Sequence, residues 1–426
     1  RKCRMTVFLL TFFGLMLLGT PICFCMLGSS VCYILVHDIS ARVIVEKFCS
    51  GPNSFTLLAI PFFILAANLM NNGGVTDRMF NLCRKWVGHF TGGLGHVNVL
   101  ASVIFAGMSG AAVADAGGLG QLELKAMRDA HFDDDFTLAV TGASSTIGPV
   151  IPPSIPAVVY AVSAGCSIGG LFIAGIIPGL LMAGSMCMIV YVWARLKKYE
   201  KDPKASWKER LTATKRGLLS LLTPVIIIGG IWSGKFTPTE AAVVASVYAA
   251  VLSFGVYREL HWRDLKALLL NTAEQTIVSL CIIASSAVFG WVLTYERIPQ
   301  QVSKWFLSLS DSPVVFILLS MGILLIVGCF METIAAITIM TPVLLPVATS
   351  MGYSPVHFGV VMILTLMIGL ITPPVGLVTY TLANISGVSF TRISKATVPF
   401  LLALIVVLIV IALVPQISLF LPGLVG

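Results

Sequence analysis

Charge is what this sequence has least of. Asp, Glu, Lys and Arg make up 11% of the 426 residues, less than half the roughly 25% that keeps a soluble domain hydrated. That scarcity excludes a soluble globule. Histidine is also sparse, and neither a His/Glu metal motif nor a serine-nucleophile elbow occurs, so the motif signs of a hydrolase are missing. The ten cysteines stand mostly singly in apolar stretches, and Cys23-Phe24-Cys25 lacks a second pair or a nearby His. They read as small apolar packing residues. Gly229 to Lys235 spells the first seven positions of a phosphate loop, but Phe236 stands where a Mg²⁺-binding hydroxyl is required, so ATP is not expected there. The net charge of +8 sits in short loops between apolar spans, not on a face interleaved with aromatics, which argues against nucleic acid.

What is present is apolar surface: 57% hydrophobic residues and a mean hydropathy of +0.96. Stretches of about 20 apolar residues, enough to cross a bilayer, recur along the whole chain rather than forming one anchor. Crossings are expected near 5–36, 54–72, 134–163, 168–196, 217–233, 238–257, 272–293, 356–386 and 396–415. Two further stretches, 96–131 and 313–349, are interrupted at Gly107-Met108-Ser109-Gly110 and at Val327-Gly328. Each reads as a hairpin that enters and leaves on one side. The expected fold is therefore an all-α polytopic membrane protein.

Placing the N-terminus in the cytoplasm puts 22 basic residues inside, nine of them between Arg195 and Arg216, and five outside. This obeys the positive-inside rule and leaves the C-terminus periplasmic or external. Residues 76–90 and 258–270 mix aromatic, apolar and basic residues, as in Arg84-Lys85-Trp86 and His261-Trp262-Arg263, which suits amphipathic arms in the interface. The chain begins at Arg1 rather than Met, as a processed, truncated or excised polypeptide would.

A shift of 221 residues superposes Gly107 on Gly328, Gly148 on Gly369, Pro152-Pro153 on Pro373-Pro374 and Pro178 on Pro399. Chance would match about 0.4 prolines where three coincide, so the chain reads as duplicated. Five crossings separate the equivalent hairpins, and an odd number inverts the second copy. The tips of the two hairpins are then expected to meet near the bilayer midplane.

Paired prolines remove N–H donors and force the preceding residue out of helix, so both spans break, at Ile147-Gly148 to Pro152-Pro153 and at Ile368-Gly369 to Pro373-Pro374. Unmet carbonyls in hydrocarbon cost several kcal/mol each, so duplicated breaks imply a lined cavity. Freed carbonyls suit Na⁺, and half-helix N-termini suit an anion. Ser144, Ser145, Thr146, Ser109 and Gly110 in the first half, with Thr372 and Thr333 in the second, supply the oxygen-rich surroundings. Asp115 and Glu332, just past the hairpin tips, are the better candidates among the intramembrane carboxylates, which also include Glu240 and Glu274.

At Gly107-Met108-Ser109-Gly110, at Ile147-Gly148-Pro149-Val150-Ile151-Pro152-Pro153-Ser154 and at Gly369-Leu370-Ile371-Thr372-Pro373-Pro374-Val375-Gly376, the chain resembles the large membrane (M) subunit of tripartite ATP-independent periplasmic (TRAP) transporters. Thr237-Pro238-Thr239-Glu240-Ala241-Ala242 looks like another signature of that family, and the resemblance covers essentially the whole chain. It implies an elevator-type fold and Na⁺-driven uptake of an organic acid such as a dicarboxylate or sialic acid. It also implies a small Q membrane subunit, a periplasmic substrate-binding protein and a bacterial inner membrane. On this chain the organic acid is expected at Ser109, Gly110, Pro153, Ser154, Pro374, Val375 and Gly376. Two or more Na⁺ are expected among Ser109, Ser144, Ser145, Gly148, Gly328, Thr333, Gly369 and Thr372. Ala111 stands where many members carry a second serine, so no hydroxyl is expected there. The transport domain should then be 96–167 with 313–387, the scaffold helices and interfacial arms 1–95 and 168–312, and 388–426 a C-terminal span. A channel with re-entrant pore loops, or a membrane hydrolase using Asp115 and Glu332, are the rival readings.

Overall fold

Proline and glycine decide where these apolar stretches stop being helix. In the computed structural model, which describes residues 2–199, 201–309 and 312–424, every regular element is helical. The first departure from expectation comes at once. α1 (Lys2–Leu17) and α2 (Ile22–Val36) replace the single crossing expected over 5–36. Gly19, at φ 76°, and Pro21 turn the chain between them. The Phe8 and Tyr33 rings lie 5.8 Å apart and Thr11 Oγ1 lies 4.0 Å from Cys32 Sγ, a pairing only antiparallel helices give. The N-terminal end of α1 therefore shares a side with His37, where the single crossing had placed them on opposite sides.

Next come α3 (Arg42–Ser50), α4 (Ala59–Asn72) and α5 (Val75–Val87). α5 is the expected first arm: Met79, Phe80, Leu82 and Cys83 are buried while Asp77 and Trp86 are exposed. Arg84 clamps it to the distant loop at 201–206, with Nε and Nη2 donating to the Asp202 carboxylate at 2.7 and 3.1 Å. Hairpin one is α6 (Gly93–Ser109), α7 (Ala112–Gly117) and α8 (Leu119–Asp129), and the first broken helix is α9 (Asp134–Ser145) with α10 (Ile155–Ala164). α11 (Ile168–Lys197), α12 (Trp207–Trp232), α13 (Pro238–Ala250) and α14 (Leu265–Tyr295) follow.

The second arm is not where the aromatic and basic residues of 258–270 pointed. Arg258 adopts φ 56° and the Asp264 carboxylate accepts from His261 N at 3.0 Å, which makes 258–264 a bend, and Leu265 already belongs to α14. The arm-like helix of the second half is α15 (Ile298–Leu309), before hairpin two, α16 (Pro313–Phe330) and α17 (Thr333–Ser350). The second broken helix, α18 (Pro355–Gly369) and α19 (Leu377–Ser386), leads to α20 (Phe390–Leu413) and α21 (Gln416–Gly423). Among the described residues eight helices are long and apolar enough to span, including both arms of hairpin two. The broken helices and the α1–α2 pair fall below that length.

The duplication extends to helix ends. α6 ends at Ser109 and α16 at Phe330; α8 ends at Asp129 and α17 at Ser350; α9 begins at Asp134 and α18 at Pro355. Each pair is 221 residues apart, as are the cis bonds Pro152-Pro153 and Pro373-Pro374.

Polar contacts at the helix ends show how the two copies run. At one end Arg128 Nε donates to Asp134 at 2.7 Å and Arg128 Nη2 to Ser386 O at 3.2 Å. There too Arg392 pairs with Asp135 at 2.5 Å and Lys197 with Asp133 at 3.2 Å. At the other end the Tyr160 hydroxyl donates to Pro355 O at 2.7 Å and the Tyr353 hydroxyl to Pro313 O at 3.1 Å. Hairpin one is thus rooted where α9 starts and α19 finishes, hairpin two where α18 starts. The broken helices run antiparallel. α10 packs on α17 and α18, and α19 packs on α7 and α9, so each half supplies a segment to the other's hairpin.

Beside this unit, α13 and the helical turns Val251–Val256 that continue it lie along α4 and the short helical turn Phe55–Leu58 that leads into it. Thr239, Ser246 and Ser253, seven residues apart, donate to Phe55 O, Phe62 O and Leu69 O at 3.1, 2.7 and 3.0 Å. Hydroxyls at heptad spacing serve here as polar glue between helices that gain no hydrophobic drive in lipid.

Candidate functional site

Both breaks lie where the sequence placed them, between Ser145 and Ile155 and between Gly369 and Leu377. Each is met by the hairpin of its own half. Gly110, at φ 62°, turns hairpin one, and a side chain there would begin 3.0 Å from Pro153 O and 3.2 Å from Ile155 N. In the second half the contact is backbone against backbone: a Cβ on Gly369 would lie 2.7 Å from Gly328 Cα. Gly328 therefore marks a packing face inside α16, not the turn, which comes at Met331 and Glu332.

Around the first break the candidate hydroxyls part company. Ser145 Oγ and Thr146 Oγ1 donate back to Gly142 O and Ala143 O at 2.9 and 2.6 Å, the ordinary habit of such residues in helices. Ser144 Oγ also has the carbonyl of its own preceding turn, Thr141 O, at 3.2 Å, but its shorter bond reaches another helix and goes to Asn98 Oδ1 at 2.7 Å. Ser154 caps α10: its Oγ accepts from Ala157 N at 3.1 Å and donates to Pro149 O. Asp115, 2% exposed, sets its carboxylate against Gly148, where any side chain would strike Oδ2. Ser145 O lies 3.4 Å from that same Cβ position, so carboxylate and carbonyl oxygens converge on Gly148. Ser109 ends α6, but its side chain lies outside the described residues.

The second break is built differently. Thr372 Oγ1 donates back to Ile368 O at 2.7 Å, Leu370 O accepts from Val378 N at 3.1 Å, and Gly376 starts α19 at φ 51°. Thr333, 4% exposed, is the first residue of α17. Glu332 is a helix cap, its Oε2 accepting from Ile334 N and Ala335 N at 2.9 and 3.3 Å at the start of α17. It answers the positive end of that helix, so an anion would meet a carboxylate already there. Glu240 completes a capping box on α13, its carboxylate accepting from Thr237 N at 2.7 Å while the N-cap Thr237 hydroxyl accepts from Glu240 N, and it lies exposed at the helix end with no place at either break. Glu274 is exposed on α14.

Exposure separates the two halves. Ile147 through Ser154 are all buried, whereas Pro373 and Pro374 are exposed and Val375 is half-buried. Among the described residues no three His, Cys, Asp or Glu side chains cluster as metal ligands, so the donors at both breaks are hydroxyls, carbonyls and the Asp115 carboxylate. Hard oxygens of this kind suit an alkali or alkaline-earth cation rather than a transition metal.

Sequence reasoning passed over Asn98 and Glu123. Asn98 is fully buried on α6, and Glu123, 1% exposed on α8, accepts from its Nδ2 at 2.7 Å. Glu123 stands in Leu122-Glu123-Leu124-Lys125, which reads as the charged edge of an interfacial helix. Its burial comes from packing of α8 against α9 and α6, which no local pattern announces.

Comparison with known proteins places the whole chain. The model of the family described as "Tripartite ATP-independent periplasmic transporter, DctM component" matches residues 9–417. The sialic acid TRAP transporter large permease protein SiaM of Vibrio cholerae is 45% identical over 412 residues, covering 96% of both chains. The C4-dicarboxylate TRAP transporter large permease protein DctM of Pseudomonas aeruginosa is 39% identical, covering 94% of both. Among solved structures, the Alcanivorax borkumensis YdaH transporter superposes with a TM-score of 0.64 at 17% identity, covering 87% of this chain and 86% of that one. That likeness bears on the fold.

Proposed function

The chain belongs to the DctM component family of tripartite ATP-independent periplasmic transporters, and from that premise we propose that it imports an organic acid coupled to Na⁺. One observation carries the reading: two breaks 221 residues apart, in antiparallel helices, each covered by its own hairpin, Gly110 on Pro153 and Gly328 on Gly369. We read these as inverted repeats with re-entrant hairpins, a layout that brings half-helix ends and freed carbonyls to the midplane. Na⁺ binds at Gly148, Ser144, Ser145 and Asp115 in the first half and at Gly328, Gly369, Thr333 and Thr372 in the second. Ser109 and Gly110, with Pro153, Ser154, Pro374, Val375 and Gly376, border the organic anion between the hairpin tips. The class of substrate follows the relatives, whose names give sialic acid and C4-dicarboxylate.

Residues 96–167 and 313–387 form the moving body of an elevator, 1–95 and 168–312 the scaffold helices and interfacial arms, and 388–426 a C-terminal span. The exchange of α10 and α19 between hairpins supports motion as one block. Exposure of Pro373 and Pro374 against burial of Pro152 and Pro153 suits a state open to one side only. The basic stretch Arg195 to Arg216 faces the cytoplasm of a bacterial inner membrane. With α1 and α2 antiparallel, the N-terminus then lies on the outer side with Arg42, Lys47 and the C-terminus. This moves only three of the 22 basic residues first assigned inside. A small Q subunit and a periplasmic binding protein complete the system, and lipid covers the remaining apolar faces.

The experiment is uptake into proteoliposomes by Pro153→Ala and Ser109→Ala, with membrane insertion measured in parallel. Uptake should fall at least fivefold while insertion holds. Uptake equal to wild type in both variants would remove the site assignment.

A further inference from the structure

Glu123 and Asn98 form a buried chain of hydrogen bonds that ends on Ser144. Asn98 Nδ2 donates to Glu123 Oε2 and to Thr141 Oγ1, both at 2.7 Å, and Asn98 Oδ1 accepts from Ser144 Oγ at 2.7 Å. Asn98, Glu123, Thr141 and Ser144 are each 1% exposed or less. The four residues come from α6, α8 and α9, that is, from both arms of hairpin one and from the helix that ends at the break. Among the described residues Glu123 Oε1 has no hydrogen-bond partner, and the carboxyl group is held by Asn98 with the Thr141 side chain beside it.

Amide orientation is set by such partners, because the two ends of an Asn side chain differ only in donating or accepting. Glu123 Oε2 is an acceptor and requires the NH₂ end. The oxygen end must then face Ser144. Facing Asn98 Oδ1, and with Thr141 O a second and longer acceptor at 3.2 Å, the Ser144 hydroxyl donates its one proton, and its oxygen lone pairs are left to accept or to coordinate. We propose that Glu123 and Asn98 are positioning residues for a cation at the first break, setting the Ser144 hydroxyl so that it presents oxygen lone pairs. This rests on the reading of Ser144 as a Na⁺ ligand. Partners of this kind tune ion affinity by about ten- to 100-fold in metal sites, because they remove the need to reorient a ligand on binding.

Binding of radiolabelled Na⁺ to the full chain in lipid nanodiscs tests it, with Na⁺-free thermal unfolding recorded for every variant. Ser144→Ala should weaken Na⁺ binding at least tenfold. Glu123→Leu and Asn98→Leu should each weaken it at least fivefold, through the dissociation constant and not through the number of sites. Glu123→Gln retains an acceptor for Asn98 and should restore binding to within twofold of wild type. A purely structural role would lower the unfolding temperature and the number of competent sites in Glu123→Leu while leaving the dissociation constant of the folded fraction unchanged. That result overturns the proposal. Normal affinity in Glu123→Leu and Asn98→Leu beside weak affinity in Ser144→Ala overturns the positioning role and spares the ion site. Unchanged affinity in Ser144→Ala overturns both. Should Glu123→Leu not fold, Asn98→Leu against Glu123→Gln decides the same question.

Discussion

Gly369→Ala is the sharpest perturbation the fold offers. The added methyl would sit 2.7 Å from both C and Cα of Gly328 and 3.2 Å from Cys329 N. Ordinary contacts of this kind need about 3.5–4.0 Å. These neighbours are backbone, so no side chain can rotate aside, and hairpin two must lift off α18 by roughly an ångström. Overpacking of this kind costs about 1–3 kcal/mol, which as a coupling energy is roughly five- to 150-fold in the population of the packed state. Gly328→Ala is milder, with a first contact of 3.0 Å to Leu366 O. Gly322, exposed on the same arm with nothing within 4 Å, is the control, and alanine there favours helix. Thermal unfolding in detergent and uptake at limiting Na⁺ should rank Gly369→Ala worst, Gly328→Ala next and Gly322→Ala near wild type. Equal behaviour of Gly369→Ala and Gly322→Ala would refute the claim that hairpin two closes on the second break through glycine.

Three further outcomes follow from single contacts. Ser154→Ala removes the cap of α10 and the bond to Pro149 O, and should lower stability by about 1 kcal/mol by thermal unfolding. Glu332→Ala should cost about 0.5–2 kcal/mol by loss of the α17 cap, with Glu332→Gln recovering part of it; full stability in Glu332→Ala would deny the capping role. Tyr160→Phe deletes the hydroxyl that α10 donates to Pro355 O and should cost about 1 kcal/mol, with melting of the two halves losing coincidence if that bond couples them.

The repeat was legible because its markers are residues with strong local consequences. Gly148 and Gly369, with both Pro-Pro pairs, fall at the breaks, and the same 221-residue shift reappears at helix ends whose own markers, such as Gly110 and Pro355, are not shared by the other copy. It could have been used further. Shifting the first arm, 76–90, by 221 lands on 297–311 and would have found α15, whereas a search for aromatic and basic residues chose the bend at 258–264. The α1–α2 hairpin also carried a signal, since residues 5–36 exceed the roughly 20 needed to cross and hold Gly19 and Pro21 at mid-length. Burial was harder to read. Glu123 and Glu332 look alike as isolated carboxylates, and only tertiary packing makes one a buried partner of Asn98 and the other a helix cap. Likewise Ser144 and Ser145 are neighbours in sequence, and the α6 surface alone gives Ser144 a partner beyond its own helix.

The central claim, coupling of organic-acid import to Na⁺ through the paired breaks, is tested most directly by uptake into proteoliposomes holding this chain with its small membrane subunit. The probes are labelled sialic acid and a labelled C4-dicarboxylate, each supplied with a matching periplasmic binding protein. The account predicts saturable accumulation of one of them that requires both the binding protein and an inward Na⁺ gradient, and that collapses when the gradient is dissipated. Uptake of equal size without Na⁺, or flux that rises without saturation and ignores the binding protein as a channel's would, contradicts it.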